Sequence, residues 1–128
     1  MAPTISLVVP AHDVAPHLDA CLRSLAAQTH RDLEVVVVDD GSADDSGRIA
    51  AKFAADDPRF RVITREHQGL GAARNAGVAE TSGEFLAFVD GDDMLPPYAL
   101  EYLLASLQET GADFATGNVH RFDADGAR

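Results

Sequence analysis

The chain has 128 residues, 46% of them hydrophobic and 24% charged, and a formal net charge of −11 at pH 7. That size and balance describe one globular domain with enough apolar material for a core, and exclude a disordered or fibrous chain. The acidity argues against nucleic acid or an anionic membrane as partner, since both require a basic face, but not against a phosphorylated ligand whose charge a metal ion offsets.

Taken in order, Ile5 to Val9 reads as a first strand, stopped by Pro10, which cannot donate to a ladder. After Ala11-His12-Asp13, the residues Leu18, Cys21, Leu22 and Leu25 recur on one helical face. Pro16 falls in that helix's first turn, where a missing N–H is harmless. Leu33 to Val38 is a second strand, ending in Asp39-Asp40-Gly41-Ser42. Ser42 with Asp45 has the form of a capping box, Asp replacing the usual Glu or Gln, and opens a helix carrying Ile49 and Phe53. Asp56-Asp57-Pro58 breaks that helix, and Phe60 to Thr64 alternates as a third strand. Glycines lead into an alanine-rich run from Gly69 to Gly77, which predicts a helix that packs closely through small residues and ends by Ser82-Gly83.

Phe85 to Val89 is an apolar run rich in aromatic and branched residues, as in a strand buried on both faces. It runs directly into Asp90-Gly91-Asp92-Asp93. Pro96-Pro97 then start a helix with Leu100, Leu103, Leu104 and Leu107 on one face, and Gly111 ends it. Asp113 to Gly117 reads as a last short strand, and residues 118–128 as a polar C-terminal tail.

Strands alternating with helices predict βαβ units and a mostly parallel sheet in a three-layer α/β/α sandwich, one domain over residues 1–117. The first strand is expected between the second and fourth. Right-handed crossovers then bring the polar motifs after strands one, two and four to one edge, where open α/β sheets bind ligands. Asp90, Asp92 and Asp93 repel one another unless something positive joins them. Oxygen donors of this kind suit Mg²⁺ or Mn²⁺, which also bind phosphate oxygens. The competing reading is an acidic turn that caps the next helix; the convergence of three motifs favours a site.

Other chemistries fit less well. Gly69-Leu70-Gly71-Ala72-Ala73-Arg74 has the outline of a dinucleotide fingerprint, but Arg74 stands where the third glycine belongs and the run does not follow the first strand. A P-loop needs a lysine, and so does a receiver-like signalling domain after its last strand; the one lysine, Lys52, lies in a helix. The histidines, His12, His17, His30, His67 and His120, show no metal-ligand spacing. The single Cys21 permits no internal disulfide and sits on an apolar helix face as a core thiol. No signal peptide opens the chain and no apolar run approaches ~20 residues, so a soluble, cytoplasmic domain is expected.

Four stretches together resemble the N-terminal, nucleotide-binding part of a family 2 glycosyltransferase with the Rossmann-like GT-A fold. They are Val8-Val9-Pro10-Ala11-His12-Asp13, Val37-Val38-Asp39-Asp40-Gly41-Ser42, Gly71-Ala72-Ala73-Arg74-Asn75-Ala76-Gly77 and Phe88-Val89-Asp90-Gly91-Asp92-Asp93. The resemblance implies a nucleotide-diphosphate sugar as donor, UDP-linked by preference, with Mn²⁺ or Mg²⁺ as cofactor. By the same resemblance Pro10, His12 and Asp13 line the nucleotide, and Asp39 accepts a hydrogen bond from the base. Asp90 lies near the ribose and the metal, Asp92 ligates the metal, and Arg74 approaches the nucleotide. Gly91 lets backbone come close to ligand, and Asp93 supports the metal ligands or caps the following helix. His12-Asp13 stand where such families often carry Tyr-Asn, so the stacking surface at His12 is smaller.

The implied reaction is transfer of a sugar to an acceptor hydroxyl, with inversion. The family's acceptor half and catalytic base are expected outside this chain. By itself the chain is therefore expected to bind nucleotide, transfer no sugar, and form a homodimer through its C-terminal edge near Phe114. The alternative is a non-catalytic nucleotide-sugar or metal-binding module of the same fold.

Overall fold

A computed structural model describes residues 4–110. The expected strand at 113–117, the stop at Gly111, the tail from residue 118 and the surface around Phe114 lie outside the described residues. The described elements are β1 (Ile5–Ala11), α1 (Ala15–Ala26), β2 (Leu33–Asp40), α2 (Ser46–Asp56), β3 (Phe60–Arg65), α3 (Leu70–Val78), β4 (Phe85–Phe88) and α4 (Ala99–Thr110).

The strands form one parallel sheet in the order β3-β2-β1-β4, with the first strand between the second and fourth as expected. One face carries the larger core. Ile5, Leu7, Val9 and Ala11 of β1 and Val35 and Val37 of β2 pack there with Leu18, Cys21, Leu22 and Leu25 of α1, Ala50 of α2, and Leu100 and Leu104 of α4. The other face holds Val8, Val36 and Val38 against Ala73 of α3. Helices on both faces of a parallel sheet make the three-layer α/β/α sandwich. Small residues do bring α3 close: a Cβ built at Gly77 would collide with Val8 Cγ1 and lie 3.1 Å from Val38 Cγ2. Fully buried Gln28 joins α1 to α4, its Nε2 donating to Pro96 O at 2.8 Å and its Oε1 accepting Leu100 N–H at 3.0 Å.

Three local readings change. Pro10 does not stop β1, which continues through Ala11. The Val8 and Pro10 carbonyls both face β4, accepting from Val89 N and Gly91 N at 3.0 and 3.1 Å. Pro10's missing donor faces the same way, so it ends the β4 ladder at the Val8–Phe88 pair and leaves the β2 ladder on the other side to run on through Ala11. Ser42 does not cap α2, which starts at Ser46 with no side-chain bond from its N-cap Asp45. Ser42 Oγ instead accepts the Asp13 N–H at 3.0 Å, a tertiary partner that outcompetes the local one. Finally, β4 is not buried on both faces. It edges the sheet among the described residues, α3 lies over β1 and β2 rather than over it, and Leu86 is 36% exposed.

Candidate functional site

Parallel strands put all their C-terminal ends at one edge. The β1–β2 register pairs Ala11 with Asp39, and the β1–β4 register pairs Val8 with Phe88. His12-Asp13, Asp39-Asp40 and the turn from Asp90 to Asp93 are therefore brought to the same edge, beside the N-terminus of α3.

The acidic turn is anchored by backbone. Gly91 N donates to Pro10 O, and Asp93 N closes the turn onto Asp90 O at 2.9 Å. The side of Gly91 that a Cβ would occupy faces protein, with Val14 Cγ2 at 3.0 Å and Pro10 O at 3.3 Å. One carboxylate oxygen from each of Asp90, Asp92 and Asp93 lies within 4.8 Å of the others. Arg74 approaches from α3, with Nη2 3.7 Å from Asp90 Oδ1 and its guanidinium 5.5 Å above the Phe88 ring centroid. Arg74 Nε is buried without a hydrogen-bond partner. Cys21 lies beneath, its thiol donating to Asp90 O at 3.6 Å. Burial first, then the charges of Asp93, Asp92 and Asp90, push the Cys21 thiol up to about 12, which keeps it an inert core group.

At the end of β2 the two carboxylates have different surroundings. Asp39 Oδ1 accepts the Ser42 N–H at 3.0 Å, and Asp39 Oδ2 lies 2.5 Å from where a Cβ on Gly47 would sit. Asp40, 2% exposed, receives the Gln68 and Gly69 N–H groups at 3.0 and 2.9 Å, at the mouth of α3. Burial by itself would raise the Asp40 carboxyl; those two N–H bonds and His67 outweigh it and hold the group below its ordinary value.

His12 and His67 meet above Asp40. Their rings stack with centroids 4.0 Å apart and planes 22° off parallel. One face of His12, expected to stack on a base, is thus covered by His67. His12 Nδ1 and His67 Nδ1 lie 2.8 and 3.2 Å from Asp40 O, and His67 Nδ1 lies 2.9 Å from Asp40 Oδ2. A cavity of about 250 Å³ opens here, lined by Pro10, His12, Asp40, His67, Leu70 and Ala73 among others. Asp13 turns the other way. In a left-handed conformation with φ of 51°, it offers Oδ1 to the N–H groups of Ala43 and Asp44 at 2.7 and 3.3 Å, tying the β1–α1 loop to the β2–α2 loop.

Sequence reasoning grouped Pro10, His12, Asp13, Asp39, Arg74, Asp90 and Gly91 around a nucleotide and Asp90 and Asp92 around a metal; the fold brings all of them to one edge, with Pro10 and His12 at the cavity, Arg74, Asp90, Gly91 and Asp92 at the acidic turn, and Asp13 and Asp39 turned toward the β2–α2 loop. That reasoning passed over Asp40 and His67. No spacing rule links His67 to His12, because only the βαβ crossovers bring them together.

A model of the family described as "Glycosyl transferase family 2" matches residues 6–128. The chain is 41% identical over 119 residues to glycosyltransferase GlyA of Streptococcus pneumoniae, covering 93% of this chain and 17% of that protein. It is 38% identical over 124 residues to glycosyltransferase GlyG of the same organism, covering 96% of this chain and 41% of that protein. Among solved structures, S. aureus TarS in complex with UDP-GlcNAc aligns with a TM-score of 0.75 at 33% identity, over 83% of this chain and 31% of that one. The mannosyltransferase PcManGT from Pyrobaculum calidifontis, in complex with GDP-Man and Mn²⁺, aligns with a TM-score of 0.74 at 26% identity, over 84% of this chain and 33% of that one. The chain spans less than half the length of each of these relatives.

Proposed function

The chain belongs to glycosyl transferase family 2, and from that premise we propose that it is the donor-binding part of an enzyme that moves a sugar from a nucleotide diphosphate to an acceptor hydroxyl, with inversion. The observation that carries this reading is the arrangement at the sheet edge. A carboxylate cluster with an arginine beside it adjoins a cavity floored by the ends of β1 and β2. The donors bound by TarS and PcManGT, both GT-A relatives, support the same class of ligand.

The base lies at the ends of β1 and β2 within reach of Asp39, which accepts its imide hydrogen; a uracil base supplies that donor. Asp39 faces Ser42 and Gly47 on the α2 side and not the cavity beside Pro10 and His12. Arg74 reaches toward the phosphates from α3, its charge offsetting the acidic turn.

Asp90, Asp92 and Asp93 fit a divalent ion, since their oxygens converge within 4.8 Å and are the hard donors that Mn²⁺ and Mg²⁺ take. Asp90 and Asp92 would hold the ion and Asp93 support them. When bound, the ion neutralises charge that develops on the departing diphosphate.

Calorimetric titration with UDP, CDP and GDP, each with Mn²⁺ and with EDTA, tests the reading. Metal-enhanced binding of one nucleotide is expected. Failure of all three to bind under either condition overturns it.

A further inference from the structure

We propose that Asp13 is a positioning residue and not a nucleotide ligand: it locks the β2–α2 loop in place and so aims the Asp39 carboxylate that selects the base. The consequence at the base rests on the donor-binding reading above; the lock itself does not.

The two loops that follow β1 and β2 are bonded to each other in both directions. Asp13 N–H donates to Ser42 Oγ, Val14 N–H to Ser46 Oγ and Ala15 N–H to Asp44 Oδ2, each at 3.0 Å. In return Asp13 Oδ1 accepts the N–H groups of Ala43 and Asp44 at 2.7 and 3.3 Å. These bonds answer a local need. The N-cap of α1 is Val14, whose side chain has no acceptor, so the donors at the start of that helix are capped by residues of the other loop.

Asp13 suits this task. Among the described residues it is the one non-glycine residue at positive φ, at 51°, a conformation that Asp and Asn adopt more readily than other side chains. From there Oδ1 reaches the β2–α2 loop, and Oδ2 lies 3.4 Å from His12 Nε2, so both oxygens have partners within the protein.

The lock bears on Asp39 at two points. Ser42 N–H, one residue before Ala43, donates to Asp39 Oδ1 at 3.0 Å. A Cβ on Gly47 would lie 2.5 Å from Asp39 Oδ2, so the first turn of α2 packs against that oxygen. Asp39, 6% exposed, is thus held between Ser42 and Gly47, which flank the two residues that Asp13 ties down. A shift of the loop would turn the carboxylate, and a hydrogen bond from the base weakens steeply with misalignment.

The test uses the 128-residue chain. Asp13→Gly removes the acceptor without straining the positive φ, whereas Asp13→Asn keeps the acceptor and removes the charge. Amide hydrogen exchange followed by NMR reads the lock, and calorimetric titration with UDP and CDP in Mn²⁺ reads its effect. Ala43 and Asp44 should exchange about tenfold faster in Asp13→Gly and at the unmodified rate in Asp13→Asn. The preference for UDP over CDP should fall by about tenfold in Asp13→Gly and stay within about twofold in Asp13→Asn. Ser42→Ala deletes the acceptor of the Asp13 N–H and keeps the Ser42 N–H on Asp39. It should shift the preference the same way by a smaller factor, and it replaces Asp13→Gly if circular dichroism shows that variant unfolded. Unchanged exchange at Ala43 and Asp44 in Asp13→Gly would overturn the lock. Equal weakening of UDP and CDP in both Asp13 variants would make Asp13 a direct ligand and overturn its positioning role. Nucleotide binding without a UDP preference in the unmodified chain would overturn the aiming of Asp39. If no nucleotide binds while the exchange rates behave as described, the donor-binding reading fails and the lock stands.

Discussion

Arg74 on α3 and Asp90 beyond β4 face each other across the sheet edge, Nη2 to Oδ1, at 3.7 Å. That is too long for a strong hydrogen bond, and both side chains remain well exposed, so the pair contributes little to stability. Its interest is positional: the guanidinium rests over Phe88 beside the acidic turn, where the proposed diphosphate would lie, with a buried Nε that has no partner.

Arg74→Ala should accordingly leave the melting temperature nearly unchanged and weaken nucleotide diphosphate binding by roughly tenfold to a hundredfold, the range of ~1.5–3 kcal/mol for hydrogen bonds to charged groups. Arg74→Lys should recover only part of it, since a lysine keeps the charge but lacks the planar, multi-donor guanidinium. Calorimetry with the nucleotide alone and thermal melts of each variant make the comparison.

Metal dependence is the next expectation. Mn²⁺ should tighten nucleotide diphosphate binding because the cation offsets repulsion between the phosphates and Asp90, Asp92 and Asp93. Asp92 is exposed, so Asp92→Asn should fold normally and lose most of the Mn²⁺ effect. Equal affinity with Mn²⁺ and with EDTA in the unmodified protein would contradict the assignment.

At the base, Asp39→Ala should abolish a preference for UDP over CDP, at a cost of about 1–3 kcal/mol in UDP binding. A measured preference for CDP in the unmodified chain would remove Asp39 from the base site.

A pH effect follows from the α2–β3 loop. The side-chain bonds from Arg59, at 2.8 to 3.3 Å, are the main reason the Asp57 carboxyl is held below its ordinary value; partial burial opposes them and the Arg59 N–H adds to them. Arg59 also donates to Arg31 O and Ala26 O, so this pair fastens the end of α1 to the start of β2. A carboxyl lowered by folding stabilises the protein above its unfolded value, near ~3.9, and the contribution disappears as pH falls through the folded value. Denaturation midpoints of the unmodified chain and Asp57→Asn should therefore differ at pH 7 and converge as pH falls through the folded value. A constant difference across that range would show that the ionised pair is not its source.

Gly77→Ala sets two known effects against each other. Alanine gains up to ~1 kcal/mol of helix propensity. Its Cβ would strike Val8 Cγ1 in the central strand, and overpacking of that kind costs ~1–3 kcal/mol. The net result should be destabilisation, seen as a lower urea midpoint with an unchanged slope.

Much of this was legible in the chain because local periodicity encoded it. Leu18, Cys21, Leu22 and Leu25 share a helical face, and all four are fully buried. Asp39 and Asp90 end apolar runs, and parallel topology sends both to one edge. Features that depend on the neighbouring strand or loop were not legible. Pro10 looks like a strand terminator until its missing N–H is known to face β4, which leaves the β2 ladder intact. Ser42 looks like a helix cap until Asp13 N is known to reach it. Phe85 to Val89 reads as a central strand, and only the packing of α3 on β1 and β2 shows why Leu86 stays exposed. The His12–His67 stack belongs to the same class, since it joins two loops through tertiary folding alone.

The strand order also governs when this sheet can be made. Ile5 in β1 pairs with Phe85 in β4, so the central strand leaves the ribosome long before one of its neighbours exists. At about 5–20 residues per second, that interval lasts several seconds. Among the described residues every strand pairing is parallel and needs a crossover, so none of them forms a hairpin that could serve as a local nucleus, and their ordering must await distant contacts. The valines of β1 spend the wait without their β4 edge, and an unpaired strand edge of that kind is open to association until β4 arrives.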